Sequence, residues 1–274
     1  MSRYVLYHAN CPDGFGAAWA AWKKFSETAI YIPMRHGATL PEIPSGSEVY
    51  ILDFSFDRET LLELSQRSKL KVLDHHKTAL AELKDLDFAE FDMHRSGAVM
   101  TWQYFFPEEP IPELLKYIQD QDLWTWSLPD AHEITTALSI YPMEFEVWNS
   151  LEVDTLREEG KITLRYKHQL IENLGQRVDW FEILGHEVPG VNTPLFASEL
   201  GNNLCLRFPE APFAMSFSDQ KGLRKFSLRS IGEFDVSAIC REFGGGGHRN
   251  ASGFALPLEQ LNTHIKRIEK ETKS

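Results

Sequence analysis

Three short, nearly continuous apolar runs punctuate the first third of the chain: residues 4–7 (YVLY), 48–52 (EVYIL) and 70–73 (LKVL). Runs of this length rich in Val, Ile, Leu and Tyr read as strands buried on both faces. The stretches between them, residues 15–25 and 58–66, read as helices, the first rich in Ala and Trp. Strand, helix, strand, helix, strand predicts a parallel sheet with right-handed crossovers. From Ser96 to about residue 147 the pattern is mostly helical. Ser96 can cap a helix that runs to Phe106, where Pro107 and Pro110 stop it. Another helix from Pro112 runs into Gln119-Asp120-Gln121-Asp122, and residues 154–178 predict a long polar helix.

After that helix the texture changes. Strands are predicted at 187–191, 213–217, 226–229 and 253–256, and helices at 198–206, 236–243 and from 257 to the C-terminus. The whole reads as α/β: a parallel-sheet N-terminal domain over residues 1–150, a helical linker over 151–185, and a smaller α+β domain over 186–274.

Composition narrows the function classes. The chain is 43% hydrophobic and 25% charged, as in a globular protein with a sizeable core. Lys plus Arg is 28 against 40 Asp plus Glu, a formal charge of −12, which argues against a footprint for long duplex nucleic acid. A small anionic substrate remains compatible, because bound cations reverse a local field. The three cysteines, Cys11, Cys205 and Cys240, form no CxxC pattern, so neither a disulfide framework nor a zinc knuckle is expected. No stretch approaches the roughly 18 apolar residues of a membrane span, and the first residues do not have the layout of a signal peptide. The expectation is a cytoplasmic protein with no membrane partner.

Polar residues follow each early strand. His8 and Asp13 follow the first, Asp53 the second, and Asp74-His75-His76 the third. Ligands of open parallel sheets bind beyond the carboxyl ends of the strands, so these groups are expected to converge on one cleft. A carboxylate beside two imidazoles suits a metal site, the carboxylate orienting a ring whose other nitrogen ligates. Singly, Asp53 reads more readily as a helix cap, and Asp13-Gly14 as a turn; their shared position at the strand ends favours the site. Asp120 and Asp122 read as a helix end unless they join the cluster. The second chemical signal is Gly244-Gly245-Gly246-Gly247-His248, about a 1-in-10,000 occurrence by composition. Four residues without Cβ let backbone amides approach an anion closely, and Arg229 at a strand end is a candidate phosphate clamp.

In this order these residues resemble the DHH phosphoesterase superfamily, in the branch that carries the DHH-associated C-terminal domain and includes nanoRNases and RecJ-like exonucleases. The resemblance covers nearly the whole chain and rests on residues 8–14, Asp53, Asp74-His75-His76, Asp120 or Asp122, Ser-Leu-Arg-Ser at 227–230, and the glycine-histidine run with Ala251 and Gly253. It implies two divalent ions, most commonly Mn²⁺ with Mg²⁺ as the alternative. His8 and Asp13 would hold one ion and Asp53 would bridge. His75 and Asp120 would hold the second, with Asp122 as the alternate. Asp74 would orient a histidine and His76 would face the phosphate. Arg229, Gly244, Gly245, Gly246, Gly247 and His248 would bind the substrate, a short single-stranded oligonucleotide or small phosphorylated nucleotide. The implied reaction is hydrolysis by metal-activated water. A pyrophosphatase or exopolyphosphatase, or a nucleotide binder with a degenerate metal site, are the alternatives.

One departure stands out. Many members have Asp-x-Asp in the first motif, but here Phe15 lies two residues after Asp13 and Cys11 two residues before it. One carboxylate is missing either way, and Asn10, Cys11 or a water could take its place.

Overall fold

The computed structural model describes residues 2–261 and 265–270. The chain divides into two compact units, Met1–Arg165 and Tyr166–Ser274.

In the first unit, strand β1 (Arg3–His8) leads into helix α1 (Pro12–Phe25), then β2 (Ile30–Met34), β3 (Glu48–Leu52), α2 (Arg58–Arg67), β4 (Lys69–Asp74), α3 (Lys77–Leu83) and β5 (Ala89–Phe91). The five strands form one sheet in the order β2-β1-β3-β4-β5, every pair parallel. The apolar runs predicted as strands are its three central members. The edge strands β2 and β5 escape the sequence pattern for a physical reason. β2 carries Pro33 and exposed Ile30, as edge strands tolerate, and β5 has only three residues.

Alternate residues of the central strands face opposite sides of the sheet. Val5, Tyr50, Leu52 and Leu73 pack with Ala17, Ala21 and Met100 on one side. Leu6, Val49, Ile51 and Val72 pack with Leu61, Leu64 and Leu83 on the other. A sheet covered on both faces needs apolar residues at both parities, hence the continuous runs.

Helices α4 (Gly97–Phe105), α5 (Glu113–Asp122), α6 (Ala131–Leu138) and α7 (Phe145–Ser150) complete this unit. Ser96 caps α4 as predicted, its Oγ accepting from Val99 N at 3.4 Å. Phe15, the residue that departs from the family pattern, is 2% exposed. Its ring stacks on Phe145 at 5.0 Å and meets Trp148 edge-on at 4.7 Å. It is a core residue of the α1–α7 cluster.

Helix α8 (Val153–Gly175) contains the boundary between the units. It ends well before residue 185, and strand β6 (Asp179–Ile183) occupies a stretch expected to belong to the linker. The second unit continues with β7 (His186–Asn192), α9 (Ala197–Arg207), β8 (Ala214–Gln220), β9 (Leu223–Arg229), α10 (Val236–Arg241), β10 (Gly246–His248), β11 (Ala251–Pro257) and β12 (Ile265–Ile268). These strands form a seven-stranded sheet in the order β10-β11-β9-β8-β7-β6-β12. Among the described residues of this sheet, only β7 and β8 pair in parallel. The C-terminal helix expected from residue 257 is corrected: a short 3₁₀ turn, Leu258–Gln260, follows β11, and residues 265–268 are strand. Ile265 faces the core while Lys266 and Arg267 are exposed, a strand alternation hidden in a charged segment. Residues 262–264 and 271–274 of that expected helix lie outside the described residues.

Gly160 of α8 shows how tightly the first unit is closed. A Cβ there would stand 2.1 Å from the Glu133 carbonyl oxygen in α6. On a free helix surface Gly→Ala stabilises. Here Gly160→Ala is expected to destabilise by about 1–3 kcal/mol, read as a lowered urea midpoint at unchanged slope.

Candidate metal centre

The parallel register aligns three strand ends. Tyr7 pairs with Leu52 and Leu52 with Leu73, so His8, Asp53 and Asp74 come next on adjacent strands. Asp53 then leaves the sheet with φ of +53°, a conformation that Asp tolerates better than most residues. Gly97 makes this possible, since a Cβ at 97 would lie 2.4 Å from the Asp53 Cβ.

Asp74 is an organiser. Its Oδ1 accepts from the backbone amides of His75 and His76 and contacts His76 Nδ1 at 2.7 Å, while Oδ2 accepts from Ser55 Oγ at 2.6 Å. It fixes the His76 ring and leaves the Nε2 side turned elsewhere, the arrangement expected of a carboxylate that orients a histidine. Ser55 is invisible to sequence reasoning, because a serine three residues before a helix has no signature of its own.

His75 Nε2 lies 3.1 Å from Asp53 Oδ1, 3.4 Å from Asp122 Oδ2 and 3.6 Å from Asp13 Oδ2. On the other side, His8 Nδ1 lies 3.4 Å from Asp53 Oδ2. The structure thus brings together His8, Asp13, Asp53, Asp74, His75, His76 and Asp122. Asp13, Asp53, Asp74 and His75 are each 1% exposed.

Asp120 does not join them. Two positions on a helix differ by about 200°, so only one of Asp120 and Asp122 can face the cluster. Asp120 instead accepts from Thr125 Oγ1, from the Ser127 amide and hydroxyl, and from the Leu128 amide at 2.6–3.0 Å. It fastens the turn after α5, in which Trp124 and Trp126 have positive φ. The spacing alone cannot choose between the two acids. Asp13 is also regrouped. Its ligand atom clusters with His75 and Asp122, whereas His8 clusters with Cys11 and Asp53. The reason is that Asp13 is drawn to the start of α4, where Gly97 N and Ala98 N donate to its two oxygens at 2.7 and 3.0 Å.

Sequence reasoning also misses His36. It follows β2, the edge strand with no clear pattern, and its ring lies 5.1 Å from His8 and 5.7 Å from His76. Burial, followed by the neighbouring His76 and His8, pushes its pKa down to about 4.

The donor set suits divalent cations: carboxylates and imidazoles converge, and several atoms are left wanting. Asp53 Oδ1, Asp122 Oδ2 and His8 Nδ1 are buried with no hydrogen-bond partner. Buried polar atoms without partners cost free energy that a ligand would recover. Protonation reflects the crowding. Burial, with the charges of Asp53 and Asp122, pushes Asp13 well above the usual carboxylate range. Burial raises Asp122 to about 6. Burial opposes charge on both imidazoles, yet the facing carboxylates prevail and lift His75 to about 10 and His76 to about 9.

The remaining predicted residues lie in the second unit. Arg229 ends β9 opposite Ala251, and Ala251 lies opposite His248, so the three form one row across the sheet. Arg229 donates to Ser198 Oγ at 2.6 Å and to Ser227 Oγ at 3.0 Å. Gly244 precedes the edge strand β10, which contains Gly246, Gly247 and His248. A Cβ at Gly245 would stand 2.2 Å from Gly253 O, and one at Gly247 2.7 Å from Ala251 O. These glycines let β10 lie close on β11. Residues 246–248 of the run form a hairpin strand with β11.

Residues 200–274 match the DHHA1 domain. An uncharacterized protein, R106, of Acanthamoeba polyphaga mimivirus is 35% identical over 94% of this chain and 70% of that protein. The oligoribonuclease NrnB of Bacillus subtilis (strain 168) is 26% identical over 93% of this chain and 73% of that protein. The crystal structure of RecJ in complex with Mn²⁺ from Thermus thermophilus aligns with TM-score 0.53 and 13% identity, covering 95% of this chain and 50% of that one. The chain belongs to the DHH superfamily. At the level of the family it is a phosphoesterase. Among the described residues, no helix is long and apolar enough to cross a membrane.

Metal binding here must displace protons. Asp13 and Asp122 sit above their ordinary values and favour the neutral acid, and His75 favours the imidazolium. Each must deprotonate to ligate, so affinity for divalent metal is expected to rise with pH from about 6 to 10. Calorimetric titration in two buffers of different ionisation heat should report proton release; equal heats and a pH-independent affinity would contradict it.

Proposed function

We propose that this protein is a two-metal phosphodiesterase that hydrolyses short single-stranded oligonucleotides. The observation that carries the reading is the convergence of His8, Asp13, Asp53, His75 and Asp122 at the strand ends, with Asp53 flanked by an imidazole on each side. Asp53 suits a bridging carboxylate. His75, Asp13 and Asp122 would hold one ion, and His8 would hold the other. Nitrogen and oxygen donors together favour Mn²⁺ over Mg²⁺, the harder ion. When bound, the ions supply Lewis-acid polarisation of phosphate oxygens and a water that deprotonates near neutrality.

The chain's own residues supply the rest. Asp74 holds the His76 ring through Nδ1, and the raised pKa keeps His76 charged at neutral pH, so it can donate to a phosphate oxygen. His36 is neutral there and offers a second imidazole beside it. In the second unit, Arg229 and His248 are side chains suited to phosphates and bases. The chain's net charge of −12 favours a short ligand over a long polyanion. The relative NrnB is an oligoribonuclease, which supports an oligonucleotide over pyrophosphate. The thiols of Cys11, Cys205 and Cys240 are free, which favours a reducing compartment such as the cytoplasm.

The test is product release from a dinucleotide, a five-residue oligonucleotide, 3′-phosphoadenosine 5′-phosphate and pyrophosphate, with Mn²⁺, Mg²⁺ or EDTA. Mononucleotide release that requires Mn²⁺ is expected. Asp122→Asn should lower kcat on the order of a hundredfold or more. Asp120→Asn should instead lower Tm and leave most of kcat, because it loosens a turn. Equal losses of kcat in the two variants, or turnover of pyrophosphate alone, would overturn the reading.

A further inference from the structure

The regrouping of Asp13 leaves His8 and Asp53 short of a third protein donor. His76 and His36 group with His8, and His76 with Asp53, but Cys11 is the residue that groups with both at once. Its Sγ, a ring nitrogen of His8 and a carboxylate oxygen of Asp53 all lie within 4.8 Å of one another. The backbone explains the approach. After His8 the chain turns through Asn10 at φ of +57°, and Cys11 becomes the N-cap of α1, ahead of Pro12. An N-cap side chain commonly turns back to bind the free amides of its own helix. Cys11 makes no side-chain capping bond, although the Gly14 amide lies toward its sulfur. It stands beside Asp53, which is 1% exposed, and beside His8, whose Nδ1 is buried without a hydrogen-bond partner. Position 15, the other place for the missing acid, is closed by the aromatic core.

We infer that Cys11 is the third protein ligand of the ion held by His8 and Asp53, making this centre mixed: sulfur, nitrogen and oxygen on one side, nitrogen and oxygen alone on the other. The inference rests on the metal-dependent reading above and deepens it. On binding, the thiol gives its proton to solvent and the thiolate sulfur bonds the cation, with no change of oxidation state. Thiolate is a soft donor, so the His8 position discriminates in favour of Co²⁺, Zn²⁺ or Fe²⁺ over Mn²⁺, while the His75 position keeps its preference for harder ions. The two positions of one active site then differ in the metal they select.

The experiment uses the full chain, stripped with chelator and titrated with Co²⁺ while the near-ultraviolet spectrum is followed. Thiolate ligation is expected to give a sulfur-to-cobalt charge-transfer band, saturating at one equivalent and absent from Cys11→Ser. Cys11→Asp should bind cobalt without the band and shift the ratio of Co²⁺ to Mn²⁺ affinity toward manganese on the order of tenfold. Because the wild-type spectrum is itself diagnostic, poor folding of a variant does not rescue the idea. Two cobalt ions bound with no band, or a band unchanged in Cys11→Ser, would overturn the thiolate ligand and leave the metal centre standing. No binding of Co²⁺ or Mn²⁺ at all would overturn both.

Discussion

Mutual repulsion among buried acids is the constraint around which the first unit is built. Asp13, Asp53 and Asp74 are almost wholly removed from water, with Asp122 beside them. Negative charges so close cannot all persist without compensation. Each has a different answer. Asp74 is neutralised by His76, two amides and a hydroxyl. Asp13 takes two helix amides. Asp53 lies between the imidazoles of His8 and His75. Asp122 Oδ2 has no hydrogen-bond partner, and its pKa, like that of Asp13, is raised. Divalent cations are the natural completion of such a site, and the sheet supplies the rigidity that holds the acids together before any cation arrives.

That rigidity follows from ordinary packing. Buried apolar residues at both parities hold β1, β3 and β4 in register, and the register delivers three adjacent strand ends to one place. The chemistry depends on aliphatic residues several positions away, since a slip of one residue would send His8 or Asp53 to a different depth.

The central sheet was legible in the chain because continuous apolar runs have few alternative explanations. The convergence at the strand ends was legible because it follows from parallel topology. What the pattern could not carry was orientation. Asp120 and Asp122 have the same chemistry and neighbouring positions, and only the turn built by Thr125, Ser127 and Leu128 separates their roles. His36 was hidden behind an edge strand interrupted by Pro33. The β12 strand was hidden by charged residues on its exposed face. The glycine run was conspicuous, but its meaning was not: Gly245 and Gly247 are small because another backbone lies against them.

Asp13 has two employments. Its carboxylate stands in the candidate metal cluster and also closes the first turn of α4, whose residues Val99, Trp102 and Phe105 are core. A lineage that abandoned the chemistry would still keep this acid, for the sake of the helix. Among the described residues Asp122 has no comparable structural duty, so its presence or loss in a relative is the better sign of whether the proposed chemistry has been retained.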